Sequence, residues 1–203
     1  LRAGIGAVSH PGDGDDADTL LRRVEMAMYA AKSRQAGFVH YEPAMDSASE
    51  QSLSMLTELR EAVEQNQLLL YLQPKIAINT GAVCGAEALV RWQHPVRGLV
   101  PPMEFIPFAE QTGFVRQLTL WIFDQAANQQ AAMALLGVRR ISVNLSTRDL
   151  MDADLPDKLD AILRRHHAVA DGFCLEITES AIMDDPQRAE ATLNRLSAHG
   201  FKL

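Results

Sequence analysis

The sequence lacks basic tracts: 19 lysines and arginines stand against 26 aspartates and glutamates among its 203 residues, giving a formal net charge of −7. That balance excludes broad electrostatic binding to a nucleic acid polymer. No apolar run approaches the roughly 18 residues of a membrane span, so no membrane segment is predicted in this chain. The absence of a GxGxxG or phosphate-loop signature argues against an open nucleotide-binding sheet.

Cysteine is scarce as well. The two cysteines, Cys84 and Cys174, form no CxxC pair, and both fall in predicted strands. Buried, reduced thiols are therefore expected, which favours a cytoplasmic location, with tethering by an upstream region left open. The hydrophobic content of 47% supplies a sizeable core, and the length suits one or two domains.

Three predicted strands each carry one polar side chain of a metal-ligand type where apolar packing is expected. The strands are Val83–Trp92, Arg140–Ser146 and Phe173–Ser180, and the polar residues are Glu87, Asn144 and Glu176. A carboxylate or carboxamide inside an apolar strand is costly unless something pairs with it. One shared partner, a hard divalent cation with oxygen ligands, would satisfy all three.

Side-chain alternation supports this interpretation. In the second and third strands, Asn144 and Glu176 lie on a polar or small face opposite a bulky apolar face. In the first strand Glu87 shares its face with Leu89 and Arg91. Helices could cover the apolar faces while the polar faces converge inside a barrel. The alternative is three unrelated, half-exposed strands whose polar residues face water.

The order of elements predicts a barrel. Residues 1–45 form a strand–helix–strand unit that looks like the end of a larger domain, and residues 46–54 read as a linker that merges into a helix over about Leu53–Gln65. The strand Leu68–Ile78 then pairs with Val83–Trp92 as an antiparallel hairpin. Alternating helices and strands follow, which implies parallel strands with right-handed crossovers. We expect an incomplete barrel.

Several motifs in this order carry a resemblance to a known family. The strings are Tyr71-Leu72-Gln73-Pro74, Glu87-Ala88-Leu89 followed by Val90–Pro95, Phe105–Glu110 with Thr112-Gly113, Ser142–Ser146 and Leu175–Ser180. Together they resemble the EAL domain, the cyclic di-GMP phosphodiesterase family. The resemblance implies an α/β fold, a modified (β/α)8 TIM-like barrel with an antiparallel first strand, here truncated after about four strands.

The segment before the linker resembles a second family. The strings Gly4–Ala7, Asp16–Leu21 and Ala27–Lys32 are similar to the tail of a GGDEF domain, the diguanylate cyclase family. The expected organisation is therefore a GGDEF tail over 1–45, a linker over 46–54 and the N-terminal part of an EAL domain over 55–203. The loop that gives the GGDEF family its name is absent, so cyclase activity cannot be inferred.

The EAL resemblance also implies site residues. Glu87, Asn144 and Glu176 would be ligands of Mg²⁺ or Mn²⁺, and Arg91 would contact a substrate phosphate, with Leu89 and Gln73 lining the nucleotide pocket. Glu87, Glu176 and Glu179 would serve catalysis, and Glu179 would hold an active-site loop in place, with a surface carboxylate at a helix start as its alternative. The family's Asp-Asp pair and later lysine are expected beyond Leu203.

The function implied is metal-dependent hydrolysis of cyclic di-GMP to linear pGpG by the intact protein, with the 203-residue fragment itself inactive. Two alternatives remain open: a receptor that binds cyclic di-GMP without cleaving it, and a non-catalytic interaction module. The expected partner is cyclic di-GMP, and a homodimer through the EAL domain is left open.

Overall fold

A computed structural model of the protein describes residues 4–33, 36–178, 182 and 185–203. The chain divides into two compact units, Leu1–Glu58 and Leu59–Leu203. No helix in these described ranges is both long enough and apolar enough to cross a membrane.

The first unit is a small α/β arrangement. Strands β1 (Ile5–Ala7) and β2 (Phe38–His40) pair in parallel, and helix α1 (Ala17–Ser33) connects them. Asp16 caps α1, accepting a hydrogen bond from the Thr19 backbone N–H at 2.8 Å. A small core forms around Ala27, Tyr41 and Met45.

Helix α2 (Ala44–Glu64) runs through the predicted linker. It begins at Ala44 and not near Leu53, so the predicted start of this helix is wrong. The turn at Glu42-Pro43 starts the helix, with the Met45 backbone N–H donating to the Glu42 carbonyl at 2.8 Å. Proline before a helix is compatible with the first turn, where its missing N–H costs nothing. The division into a GGDEF tail, a linker and an EAL part stays a prediction.

The second unit contains the mixed sheet that was expected. Its strands are β3 (Leu68–Ile76), β4 (Val83–His94), β5 (Gly98–Val100), β6 (Ile141–Leu145) and β7 (Phe173–Ile177). The order is β3-β4-β6-β7, with β3 antiparallel to β4 and the later neighbours parallel. This confirms a barrel-type α/β arrangement with an antiparallel first strand. Lys202 adds an isolated parallel bridge to Cys174.

Helices alternate with the later strands of the second unit, as predicted. They are α3 (Pro102–Thr112), α4 (Val115–Leu135), α5 (Thr147–Leu150), α6 (Leu155–His166) and α7 (Pro186–Ala198). Gly113 ends α3 with φ 81, a left-handed conformation that glycine adopts without strain. Strand β5 and the short helix α5 were not predicted.

The core of the second unit lies between the apolar face of the sheet and the helices. Trp92, Phe105, Phe123 and Phe173 are fully buried. The rings of Trp92 and Phe105 pack edge to face at 5.7 Å, and those of Phe123 and Phe173 lie 4.6 Å apart. Each such ring contributes roughly 1.5–3 kcal/mol through burial. The helices thus cover one face of the sheet and leave the other for polar residues.

The cysteines differ from the expectation in one respect. Both are free, as predicted, but Cys84 is exposed and Cys174 is only partly buried. Cys84 lies near the start of β4, where the β3–β4 register shifts between Lys75 and Ile76, and its thiol donates to the Lys75 carbonyl at 3.3 Å.

Candidate functional site

The three predicted ligand residues lie on one face of adjacent strands. Glu87 on β4 is opposite Ser142 on β6, and Asn144 on β6 is opposite Glu176 on β7. Their strand neighbours in sequence, such as Ala86, Ala88 and Val143, are buried on the other face. The alternation predicted from the sequence is therefore confirmed, and the polar residues share one surface of the sheet.

Glu87 and Asn144 are in direct contact. The side-chain Nδ2 of Asn144 donates a hydrogen bond to Oε1 of Glu87 at 2.9 Å. Because the amide nitrogen is used in this bond, Asn144 keeps its Oδ1 as the atom suited to a cation. Glu87 likewise keeps its second carboxylate oxygen.

Sequence reasoning missed Lys75 as a member of this group. Its ammonium donates to Oε1 of Glu176 at 2.5 Å and to the hydroxyl of Ser142 at 2.7 Å. The signal was present in the alternation of β3, where Lys75 follows Gln73 by two residues and so shares its face. Lys75 links the first strand of the sheet to the last.

Electrostatics within this group favour the charged forms. The hydrogen bond from Lys75, with its positive charge and a further hydrogen bond from Ser142, lowers the pKa of Glu176, although partial burial opposes the shift. The hydrogen bond to Glu176 and the charges of Glu176 and Glu87 raise the pKa of Lys75, again against partial burial. Both carboxylate and ammonium are therefore ionised at neutral pH.

A cleft with a volume of about 420 Å³ opens beside these residues. Leu89, Arg91 and Asn144 line it, together with apolar side chains of α3 and α4. The guanidinium of Arg91 lies 5.6 Å from the centre of the Tyr71 ring and donates to the Val90 carbonyl at 2.8 Å. These contacts hold a planar cation at the wall of the cleft, where it can pair with phosphate oxygens.

Gln73 lies elsewhere. It is directly opposite Glu87 in the β3–β4 register, on the same face, but it is not among the described residues that line the cleft. The structure therefore brings Gln73 to the predicted ligand residues rather than to the cleft, and its role in a nucleotide pocket stays a prediction.

Behind the part of the cleft that is lined by Thr119 and Ser146 lies a buried acid that sequence reasoning also missed. Asp149 is fully buried, and its Oδ2 accepts hydrogen bonds from the Ser146 backbone at 2.8 Å and from the hydroxyls of Ser146 and Thr119 at 2.6 and 3.0 Å. Burial raises the pKa of Asp149 despite these donors. The Ser-x-x-Asp spacing of a capping box was the signal that could have identified it.

Glu110 lines the same part of the cleft. Burial is the main reason that its pKa is raised, the negative charge of Asp149 adds to the shift, and Arg148 opposes it. The cleft thus changes from cationic at Arg91 to acidic at Glu110.

The donor set fits a hard divalent cation. Two carboxylates and one carboxamide on adjacent strands are oxygen ligands of the type that Mg²⁺ and Mn²⁺ take. The described residues contain no group of three or more His, Cys, Asp or Glu side chains arranged for a metal. Glu179, predicted to hold an active-site loop, lies outside the described residues.

Comparison with known proteins gives a consistent result. The EAL domain family matches residues 56–203. The chain is 37% identical over 203 residues to the bifunctional diguanylate cyclase/cyclic di-GMP phosphodiesterase MucR of Pseudomonas aeruginosa, covering 98% of this chain and 30% of that relative. It is 34% identical over 201 residues to the cyclic di-GMP phosphodiesterase PdeR of Escherichia coli, again covering 98% of this chain and 30% of the relative.

A solved structure is similar too. The phosphodiesterase PaMucR in complex with c-di-GMP superimposes with a TM-score of 0.66 and 39% identity, over 73% of this chain and 61% of that chain. The chain spans about 30% of the length of these two curated relatives.

Proposed function

The chain belongs to the EAL domain family, and on that premise we propose that it supplies the metal-binding face of a cyclic di-GMP phosphodiesterase. The reaction is hydrolysis of one phosphodiester bond of cyclic di-GMP to give linear pGpG, with Mg²⁺ or Mn²⁺ as the cofactor. We assign this activity to a polypeptide that contains this chain within a complete EAL domain.

The observation that carries the proposal is the placement of Glu87, Asn144 and Glu176 on one face of three adjacent strands, beside a cleft that contains Arg91. An oxygen-rich cluster next to a guanidinium suits a ligand that has both phosphates and a bound cation. The names of the relatives, cyclic di-GMP phosphodiesterases in P. aeruginosa and E. coli, agree with this chemistry.

Each residue has a distinct part in the proposal. Glu87, Asn144 and Glu176 hold the ion, which when bound activates a water molecule and offsets charge on phosphate oxygens. Arg91 binds and orients a substrate phosphate, and Leu89 forms the apolar wall against which a base can pack. Gln73 contacts the nucleotide from its position beside Glu87, and Glu179 holds an active-site loop in place.

We expect residues 1–203 alone to show no turnover. The two carboxylates and one carboxamide can hold one ion, whereas phosphodiester hydrolysis by paired metal ions needs further ligands. Release of pGpG by the isolated 203-residue chain would contradict this expectation.

The test is incubation of cyclic di-GMP with a purified polypeptide that contains the complete domain, followed by chromatography of the nucleotides. We expect pGpG with Mg²⁺ or Mn²⁺ and none after chelation with EDTA. Failure to form pGpG at saturating metal would refute the proposal. Calorimetric binding of cyclic di-GMP without cleavage would instead identify a receptor, and absence of binding would favour an interaction module.

Three further expectations stay predictions. They are the likeness of residues 1–45 to a GGDEF tail, a homodimer formed through the EAL domain, and a cytoplasmic location.

A further inference from the structure

We propose that Lys75 is the resident counter-cation of the metal site, which holds Glu176 when no divalent ion is bound and weakens the binding of that ion. This inference rests on the proposed function, because it concerns the ion that Glu87, Asn144 and Glu176 would hold. Lys75 is not among the predicted ligands, and its positive charge would set how tightly they bind the ion.

The contacts of Lys75 reach across the sheet. Lys75 lies on β3, and Glu176 lies on β7, with β4 and β6 between them. Its ammonium nevertheless touches Glu176 at 2.5 Å and Ser142 at 2.7 Å. The side chain therefore extends over the face on which the predicted ligands lie and ends beside one of them.

Gly85 leaves space for the side chain of Lys75. This residue is opposite Lys75 in the β3–β4 register, so no side chain stands between Lys75 and β6. A Cβ at Gly85 would lie 3.9 Å from both Cβ and Cδ of Lys75, and 3.1 Å from the carbonyl oxygen of Arg140. A larger residue at this position would occupy the space over which the aliphatic part of the lysine passes.

The charges determine the direction of the effect. Glu87 and Glu176 contribute two negative charges, and the Lys75 ammonium reduces the net charge of the group to −1. A divalent ion entering the group meets this positive charge at short range, where repulsion increases as the inverse of distance. Lys75 also orients Glu176 through one hydrogen bond, which favours binding of the ion. This contribution is smaller than the repulsion because the side chains of Lys75 and Glu176 are partly exposed, at 40% and 34%.

The first experiment measures binding of Mn²⁺ alone, from the electron paramagnetic resonance signal of the free ion. In a polypeptide with the complete domain, Lys75→Met is expected to bind Mn²⁺ at least about tenfold more tightly than the unsubstituted protein. Lys75→Arg keeps the positive charge and is expected to stay near the original affinity. Unchanged or weaker Mn²⁺ binding in Lys75→Met would overturn the inference.

A matched control is Lys158→Met. Lys158 also forms a lysine–carboxylate pair, with its ammonium 2.6 Å from Asp152, but it lies on helix α6 and not on the sheet face. Its substitution is expected to leave Mn²⁺ affinity unchanged. An equal tightening in this control would show that any lost surface charge has the same effect, and would also overturn the inference.

The second experiment needs no metal. In EDTA, Lys75→Met should lower the urea midpoint of unfolding. This decrease should be smaller when Glu176 is also replaced by glutamine, because a neutral side chain needs no counter-ion. Equal losses in both backgrounds would count against the pairing. If these results hold but cyclic di-GMP is not cleaved, the proposed function fails while the role of Lys75 stands, so the two failures are distinguishable.

Discussion

Replacing Glu87 by glutamine separates the charge of this side chain from its shape. Glutamine has nearly the same size and keeps an oxygen at the position that accepts the 2.9 Å hydrogen bond from Asn144. The residue is half-buried on β4, between the buried side chains of Ala86 and Ala88. The free energy of unfolding should therefore change by no more than about 1 kcal/mol.

Metal affinity should change much more. Without the Glu87 charge, the remaining charges are those of Glu176 and Lys75, which form an ion pair of net charge zero. A divalent ion then enters a site with no net attraction. We expect a loss of at least about 2.7 kcal/mol in binding, or roughly a hundredfold in Kd.

The assay combines Mn²⁺ titration, pGpG release and urea unfolding on the same preparation. Glu190→Gln is the matched control, because Glu190 is exposed on helix α7. The reasoning predicts weak Mn²⁺ binding and abolished turnover with a normal unfolding midpoint in Glu87→Gln, and no change in the control. Unchanged Mn²⁺ affinity in Glu87→Gln would remove Glu87 from the ligand set.

The other predictions concern the cleft wall, the buried acid and the first unit. Arg91→Lys should raise KM for cyclic di-GMP about tenfold in steady-state assays while kcat changes less, because a lysine cannot form the paired phosphate contact; a normal KM would exclude a phosphate contact. Burial raises the pKa of Asp149 above its ordinary value of 3.8, so the folded protein binds a proton here at a higher pH than the unfolded chain does. The free energy of unfolding should therefore rise, relative to that of Asp149→Asn, as pH falls from neutral. Unfolding of both proteins between pH 7 and 4.5 checks this, and parallel pH profiles would contradict it. Gly6→Ala should cost at least about 2 kcal/mol in urea unfolding, since its Cβ would lie 2.2 Å from the Met28 backbone nitrogen. Gly12→Ala, where the nearest atom is 3.9 Å away, is the control, and equal stability of the two variants would refute the argument.

The shared face of the three predicted ligand residues was predictable because strands impose a two-residue period. Glu87, Asn144 and Glu176 each interrupt an apolar strand, and their neighbours in sequence had to point the opposite way. The antiparallel hairpin was predictable for a similar local reason, the short turn between β3 and β4. The end of α3 at Gly113 reflects the conformational freedom of glycine, and the start of α7 after Asp185 reflects capping by a carboxylate.

Three features were not predictable, for different reasons. Strand β5 pairs with Trp92, Gln93 and His94 across a three-residue turn, and its own three residues are too few to show a two-residue period. The continuation of α2 through a segment rich in serine shows that polar composition does not by itself determine where a helix starts. The contact of Lys75 with Glu176 depends on strand order and on the absence of a side chain at Gly85, and both become visible only in the fold.

On the proposed function, the charges of the site also predict an order of binding. Cyclic di-GMP has two anionic phosphates, and the sheet face presents two carboxylates. Of the described residues that line the cleft, Arg91 is the one with positive charge, and Glu110 lies in the same cleft. The ammonium of Lys75 is already paired with Glu176, so it offers little attraction to a phosphate. A divalent ion must therefore be present before the phosphates can approach Glu87 and Glu176 closely, and affinity for cyclic di-GMP should rise with the concentration of that ion.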